Sequence, residues 1–130
     1  MPSFKIAQNP TFKAPVQIPR VGGDAVEVEF EFKYMDRKAL AELFERWGAA
    51  RQTLLDRVKT EELTLPASTE AEILLQAQQI SDVVAGWAFD EPFNEESVTS
   101  LVATCVGAPQ AVIEAYQNAY HPHRLGNLQA

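Results

Sequence analysis

The sequence has one cysteine, Cys105, among 130 residues, so an internal disulfide framework is excluded. It is short of positive charge. Eleven lysines and arginines face 18 aspartates and glutamates, for a net charge of -7. That balance argues against nucleic acid or an anionic membrane surface as the main partner. No apolar run approaches the length of a membrane-crossing helix, and residues 1–20 hold no apolar stretch of the kind a secretory signal needs. Glycine and proline together number only 14, and 46% of residues are apolar, so the chain is neither disordered nor fibrous. At this length one domain is expected, able to bury about two-thirds of its unfolded surface without a disulfide or metal.

The missing positive charge is missing from one half. Ten of the eleven basic residues lie in residues 1–60, which carry a net +2, and residues 61–130 carry a net -9 with Arg124 as their single base. Two readings follow: a solvated acidic helical surface, or a pair of complementary surfaces through which the chain associates with copies of itself or with a basic partner.

Residues 1–35 read as strand. Phe12, Ala14, Val16 and Ile18 alternate with Lys13, Pro15, Gln17 and Pro19. Proline donates no ladder hydrogen bond, so this is an edge strand or an extended arm. Val21-Gly22-Gly23-Asp24 is turn chemistry, taken as a longish hairpin loop. Val26, Val28, Phe30, Phe32 and Tyr34 then alternate with Glu27, Glu29, Glu31 and Lys33, the pattern of a strand with one buried face. An apolar face of that size must be covered, by the chain's own helices or by a neighbour.

Residues 36–120 read as about four helices. Asp36 caps the first, whose stripe is Leu40, Leu43, Phe44, Trp47, Leu54, Leu55 and Val58. A break at residues 61–67 holds Pro66. Thr69 and Glu72 have capping-box spacing and open a second helix with the stripe Ile73, Ala77, Ile80, Val84 and Trp87. Asn94 caps a third, with Glu95 and Glu96 in the turn where the helix dipole favours acid, Val98, Leu101, Val102, Cys105 and Val106 inward, and Gly107 as its stop. Pro109 suits the first turn of a fourth, with Val112, Ala115, Tyr116 and Ala119 inward. Residues 121–130 are expected to fray. The fold class is α+β: an N-terminal antiparallel β-hairpin followed by about four helices packed as a small bundle.

Residues suited to bond-making are scarce. His121-Pro122-His123 offers two ligands without the others a metal needs. Cys105 sits among valines, the setting of a small core side chain rather than a reactive thiol. The acidic pairs Glu61/Glu62, Asp90/Glu91 and Glu95/Glu96 fall in loops or at a helix start, where solvation and capping account for them. Gly22-Gly23 lacks the spacing and the following helix of a phosphate loop, and the aromatic strand has too few basic neighbours to stack bases. Catalytic, metal and cofactor residues are therefore expected to be none. Trp87, Phe89 and Phe93 make an aromatic corner between the second and third helices, either plain core or an anchoring pocket for a partner helix.

Asn9-Pro10-Thr11-Phe12-Lys13-Ala14-Pro15-Val16-Gln17-Ile18-Pro19 resembles the opening of the tail assembly chaperones of long-tailed phages and prophages. The alternating strand Val26 to Tyr34, the leucine-striped helix, Val84-Ala85-Gly86-Trp87, Asp90, Pro92-Phe93 and Ala115-Tyr116 follow in that family's order, so the resemblance runs from Phe4 to about Tyr120. It implies a non-enzymatic factor that binds the tape measure protein, keeps it soluble and helps tail tube subunits polymerise around it. Such a factor is expected to form homo-oligomers in the cytoplasm of the bacterial host and to be absent from the mature virion. The family has no catalytic residues to carry over and is often made in two lengths by a programmed frameshift. Trp47, Trp87, Phe89, Phe93 and Tyr116 are the candidate partner contacts. The alternative is a structural tail component, a completion or connector protein retained in the virion.

Overall fold

The computed structural model describes residues 3–121. Strands β1 (Thr11–Arg20) and β2 (Gly23–Lys33) are followed by helices α1 (Arg37–Thr60) and α2 (Leu65–Val83), strand β3 (Val84–Trp87), and helices α3 (Glu95–Thr104) and α4 (Ala108–Ala119). The strands form one antiparallel sheet in the order β1-β2-β3. The α+β class and the N-terminal hairpin are as the alternation requires. The expected fraying falls largely on residues 122–130, which lie outside the described residues.

The hairpin register runs from Thr11 opposite Lys33 to Ile18 opposite Val26, with a bulge before Arg20 meets Gly23. Its loop is tight rather than long. Gly22 sits at φ +73, a left-handed conformation that glycine adopts without a Cβ penalty. β1 is an edge strand, as its prolines require. The Glu29 carbonyl accepts from the Ala88 N–H on the β3 side, so its partner Pro15 has its backbone nitrogen on the outer edge, where no ladder bond is lost.

Val28, Phe30 and Phe32 are buried together with Val16 and Ile18. The helices cover them. α4 packs on β1, α2 packs on α3 and α4, and α1 joins the molecule through α2. Ile80, Val83, Val84, Val98, Val102, Val112 and Tyr116 complete the core. Tyr34 is half-buried, its ring 6.0 Å from that of Tyr120. Val26 departs from the expected covered face, remaining 46% exposed.

The end of α4 is tied to the end of β2 by hydroxyls. The Tyr116 hydroxyl donates to the Lys33 carbonyl at 2.9 Å, the Tyr120 hydroxyl accepts from the Met35 N–H at 3.0 Å, and the two hydroxyls lie 2.9 Å apart. Burial, then the bond to Tyr120, pushes the Tyr116 hydroxyl well above the ordinary phenol range, so it stays protonated and able to donate.

Helix starts follow the sequence at two places. Asp36 accepts from the Ala39 N–H at 2.9 Å. Asn94 accepts from the Ser97 N–H while Ser97 Oγ accepts from the Asn94 N–H, a reciprocal cap.

Other boundaries differ from the sequence reading. α2 starts at Leu65, capped by Thr64 rather than by a Thr69–Glu72 box, with Pro66 in its first turn. Proline there loses only an N–H that had no helical partner. Glu72 instead makes a two-pronged ion pair with Arg51 of α1. α2 ends at Val83, and Val84 and Trp87 belong to β3. A bulge sets Val84 opposite Phe32 and Trp87 opposite Phe30. One extra residue returns positions three apart to the same face, which imitates helical spacing. α3 ends at Thr104, and Gly107 is the N-cap of α4 rather than a helix stop. A Cβ at Gly107 would lie 2.9 Å from Pro19 Cγ, so glycine lets this corner approach β1. Val106, 88% exposed, and Ala119 point outward instead of inward.

Just past the C-cap of α1, Glu62 sits at φ 49, and the Leu63 N–H reaches back to the Val58 carbonyl at 3.3 Å. That is a Schellman closure with a side chain where glycine is usual. Glu62→Gly is expected to raise unfolding stability by about 1 kcal/mol, since a left-handed residue with a Cβ costs roughly that much; urea denaturation checks it. The Arg51 hydrogen bonds hold the Glu72 carboxyl below its usual range. The pair therefore contributes above the unfolded carboxyl pKa and is lost as pH falls through the folded one. Both side chains are partly exposed, so Glu72→Gln should cost no more than about 1 kcal/mol at pH 7. That difference should close in acid, as melts across pH will report.

Candidate protein-binding site

β3 pairs with β2 only along Phe30–Phe32, plus the Ala88 bond to Glu29. Past Glu29 toward the hairpin turn, the β2 edge opposite β1 is not paired to any other strand among the described residues. The connector at residues 88–94 leads from β3 into α3. A groove of about 850 Å³ results between the β2 edge, the connector and α3. Its apolar wall includes Val26, Val28, Trp87, Phe89 and Leu101.

The connector is held at both ends. Trp87 Nε1–H donates to the Glu91 carbonyl at 2.8 Å, closing a loop over four residues. Ser97 Oγ bonds the Pro92 carbonyl and fixes the entry to α3. The Trp87 ring meets Phe89 and Phe93 edge to face, each at 5.0 Å, and Phe30 at 5.9 Å. Edge-to-face contacts set the positive ring edge against a negative face, so the cluster fixes the groove wall.

The acidic residues converge here. Glu27 and Glu29 of β2, Asp90 and Glu91 of the connector and Glu96 of α3 line the groove, with Arg20 as the one basic residue among its lining. Residues separated by more than sixty positions thus share one electrostatic surface. Arg51, Glu72 and Tyr116, whose titration is shifted, are not among the groove's lining. Among the described residues no three His, Cys, Asp or Glu side chains gather as a metal would need, and His123 of the terminal histidine pair lies outside them. No single helix among the described residues is long and apolar enough to cross a membrane. The arrangement offers apolar contact area and negative charge, which suit a protein segment.

The sequence candidates divide three ways. Trp87, Phe89 and Phe93 come together as expected, although between β3 and α3. Trp47 stands apart on α1, where its Nε1–H donates to Asp82 Oδ2 of α2 at 2.8 Å and its ring lies 5.5 Å from Phe44. Tyr116 has no exposed surface. Its ring is enclosed by Phe12, Phe32 and Tyr120, so its work is internal and it is not available to a partner in this conformation. Sequence reasoning missed the groove itself. Its only advance signal was the row of glutamates on β2, which says nothing about which later acids join it.

Trp87→Ala should destabilise the fold by about 3 kcal/mol, the low end for removing an indole, because the ring is half-buried. Trp87→Phe keeps the ring contacts and loses one hydrogen bond, about 1 kcal/mol. Equilibrium urea unfolding of both variants reads the two contributions separately.

A family model described as phage tail assembly chaperone matches residues 1–127. No curated protein and no solved structure matches the chain.

Proposed function

The chain belongs to the phage tail assembly chaperone family, and from that premise we propose that it binds the tape measure protein as a non-enzymatic, self-associating chaperone and assists assembly of the tail tube. It works in the cytoplasm of the host cell, with the tail tube protein as a further partner, and leaves before the virion is complete. The observation that carries the reading is the family match along nearly the whole chain, and the groove agrees with it in kind. A long helical client with apolar seams needs apolar surface to rest on and a charged carrier to keep it dissolved.

Two surfaces supply that area. The aromatic corner of Trp87, Phe89 and Phe93 presents half-buried rings beside the acidic groove. The hairpin of α1 and α2, which carries Trp47, leaves Leu55, Leu65 and Leu74 exposed. Helix-in-groove recognition uses such spaced apolar anchors. We place the client on these two surfaces and omit Tyr116.

Co-expression with the cognate tape measure protein is expected to move that protein from the pellet to the soluble fraction. Mass spectrometry of purified virions is expected to find no stoichiometric copy of this chain. A tape measure protein left insoluble overturns the client assignment, and a stoichiometric copy in virions favours a structural tail component instead.

A further inference from the structure

Residues Ser3–Pro10 precede β1 as an exposed arm. Phe4 and Ile6 are bare, 93% and fully exposed, with Lys5 between them. Two large apolar side chains two residues apart, flanking a lysine, are the pattern of a short strand with one buried and one polar face. On the same molecule the unpaired edge of β2 at Asp24–Val28 offers such a strand its backbone groups, and beside it the groove is apolar on one face and acidic on the other. An open edge of this kind is a template for a further strand.

We propose that the arm of one copy pairs with the open β2 edge of a second copy, so that copies join head to tail. The match is residue by residue. A strand added beside β2 points alternate side chains to the core face, where Phe4 and Ile6 cover Val26 and the wall near Phe89 and Leu101. The intervening position faces outward, where Lys5 meets Glu27 and Glu29. The other edge is a poor receiver, because Pro15 and Pro19 remove donors from β1.

A copy cannot fill its own groove. Pro10 is fixed at the far end of the hairpin, its carbonyl accepting from the Tyr34 N–H at 2.9 Å. From Pro10 to the level of Val26 is about 27 Å along the strands. Phe4, six residues before Pro10, lies at most about 21 Å from it with the chain fully extended, short of that level. Donor and receiver lie at opposite ends of the hairpin, so each added copy exposes a fresh groove. Such a contact is heterologous and makes rings or filaments rather than closed two-fold dimers. This inference rests on the proposed self-association and specifies its route.

Sedimentation of the full chain tests it. The native protein is expected to grow with concentration beyond a dimer. Phe4→Asp/Ile6→Asp, altering side chains that are almost wholly exposed in the monomer, should keep the native melting temperature and weaken association by at least ~100-fold, the scale of withdrawing two large apolar side chains from burial. Lys5→Glu should weaken it by roughly 2–5-fold, and a second chain carrying Glu27→Lys and Glu29→Lys should recover the loss on mixing. Oligomers untouched by Phe4→Asp/Ile6→Asp overturn the arm and leave self-association standing. A native protein that stays monomeric at every concentration overturns both. Rescue of the charge swap in mixed samples supports the arm, and failure to rescue counts against its placement beside Glu27 and Glu29.

Discussion

The whole molecule is organised by the need to cover one side of β2. Phe30 and Phe32 are fully buried and sit between neighbours on two strands, and an isolated two-stranded hairpin has no means of hiding them. α4 laid across β1, with α2 and α3 beside it, supplies the cover. Each buried aromatic side chain contributes roughly 1.5–3 kcal/mol relative to exposure. Among the described residues no other strand face concentrates so much of that term.

Cover is complete at one end of the sheet and incomplete at the other. Toward Lys33 the rings of Phe12, Phe32, Tyr116 and Tyr120 close over the hairpin, and two tyrosine hydroxyls satisfy backbone groups where β2 gives way to α1. Toward the turn, β3 has already ended, and the groove lined by β2 and α3 residues opens there. Part of its acidity comes from the same alternation that buries Phe30, because the outward positions of β2 that reach it are glutamates.

α1 stands in a different relation to the fold. Leu43 is buried in the common core, whereas Leu54 is buried outside it, and Phe44 and Leu55 keep substantial exposure. The helix is held by its packing on α2, by the Arg51–Glu72 pair and by the Trp47–Asp82 hydrogen bond. A two-helix arm with apolar residues along it is a costly surface for a solitary protein and a useful one for a carrier.

Strict alternation from Val26 to Tyr34 was enough to place a strand and name its buried face, because a period of two belongs to strands alone. Asp36 and Asn94 announced two helix starts, since a short polar side chain before an apolar stripe satisfies orphan amides locally. Phe89 and Phe93 sit close enough in sequence to Trp87 that their corner was legible without a fold. Local chemistry misled where it had two solutions. Pro66 marks a helix interrupted or a helix begun, Thr69 and Glu72 carry a cap's spacing inside a helix, and Val84 and Trp87 share a face through a bulge as they would through a helical turn. Only the tertiary structure chose among these, because the choice was made by partners distant in sequence: Arg51 for Glu72, Phe30 and Phe32 for β3. The groove belongs wholly to that second category. Glu27 and Asp90 come to line one groove only after β3 folds back beside β2 and stops short, and no period or spacing along the chain records where a strand runs out.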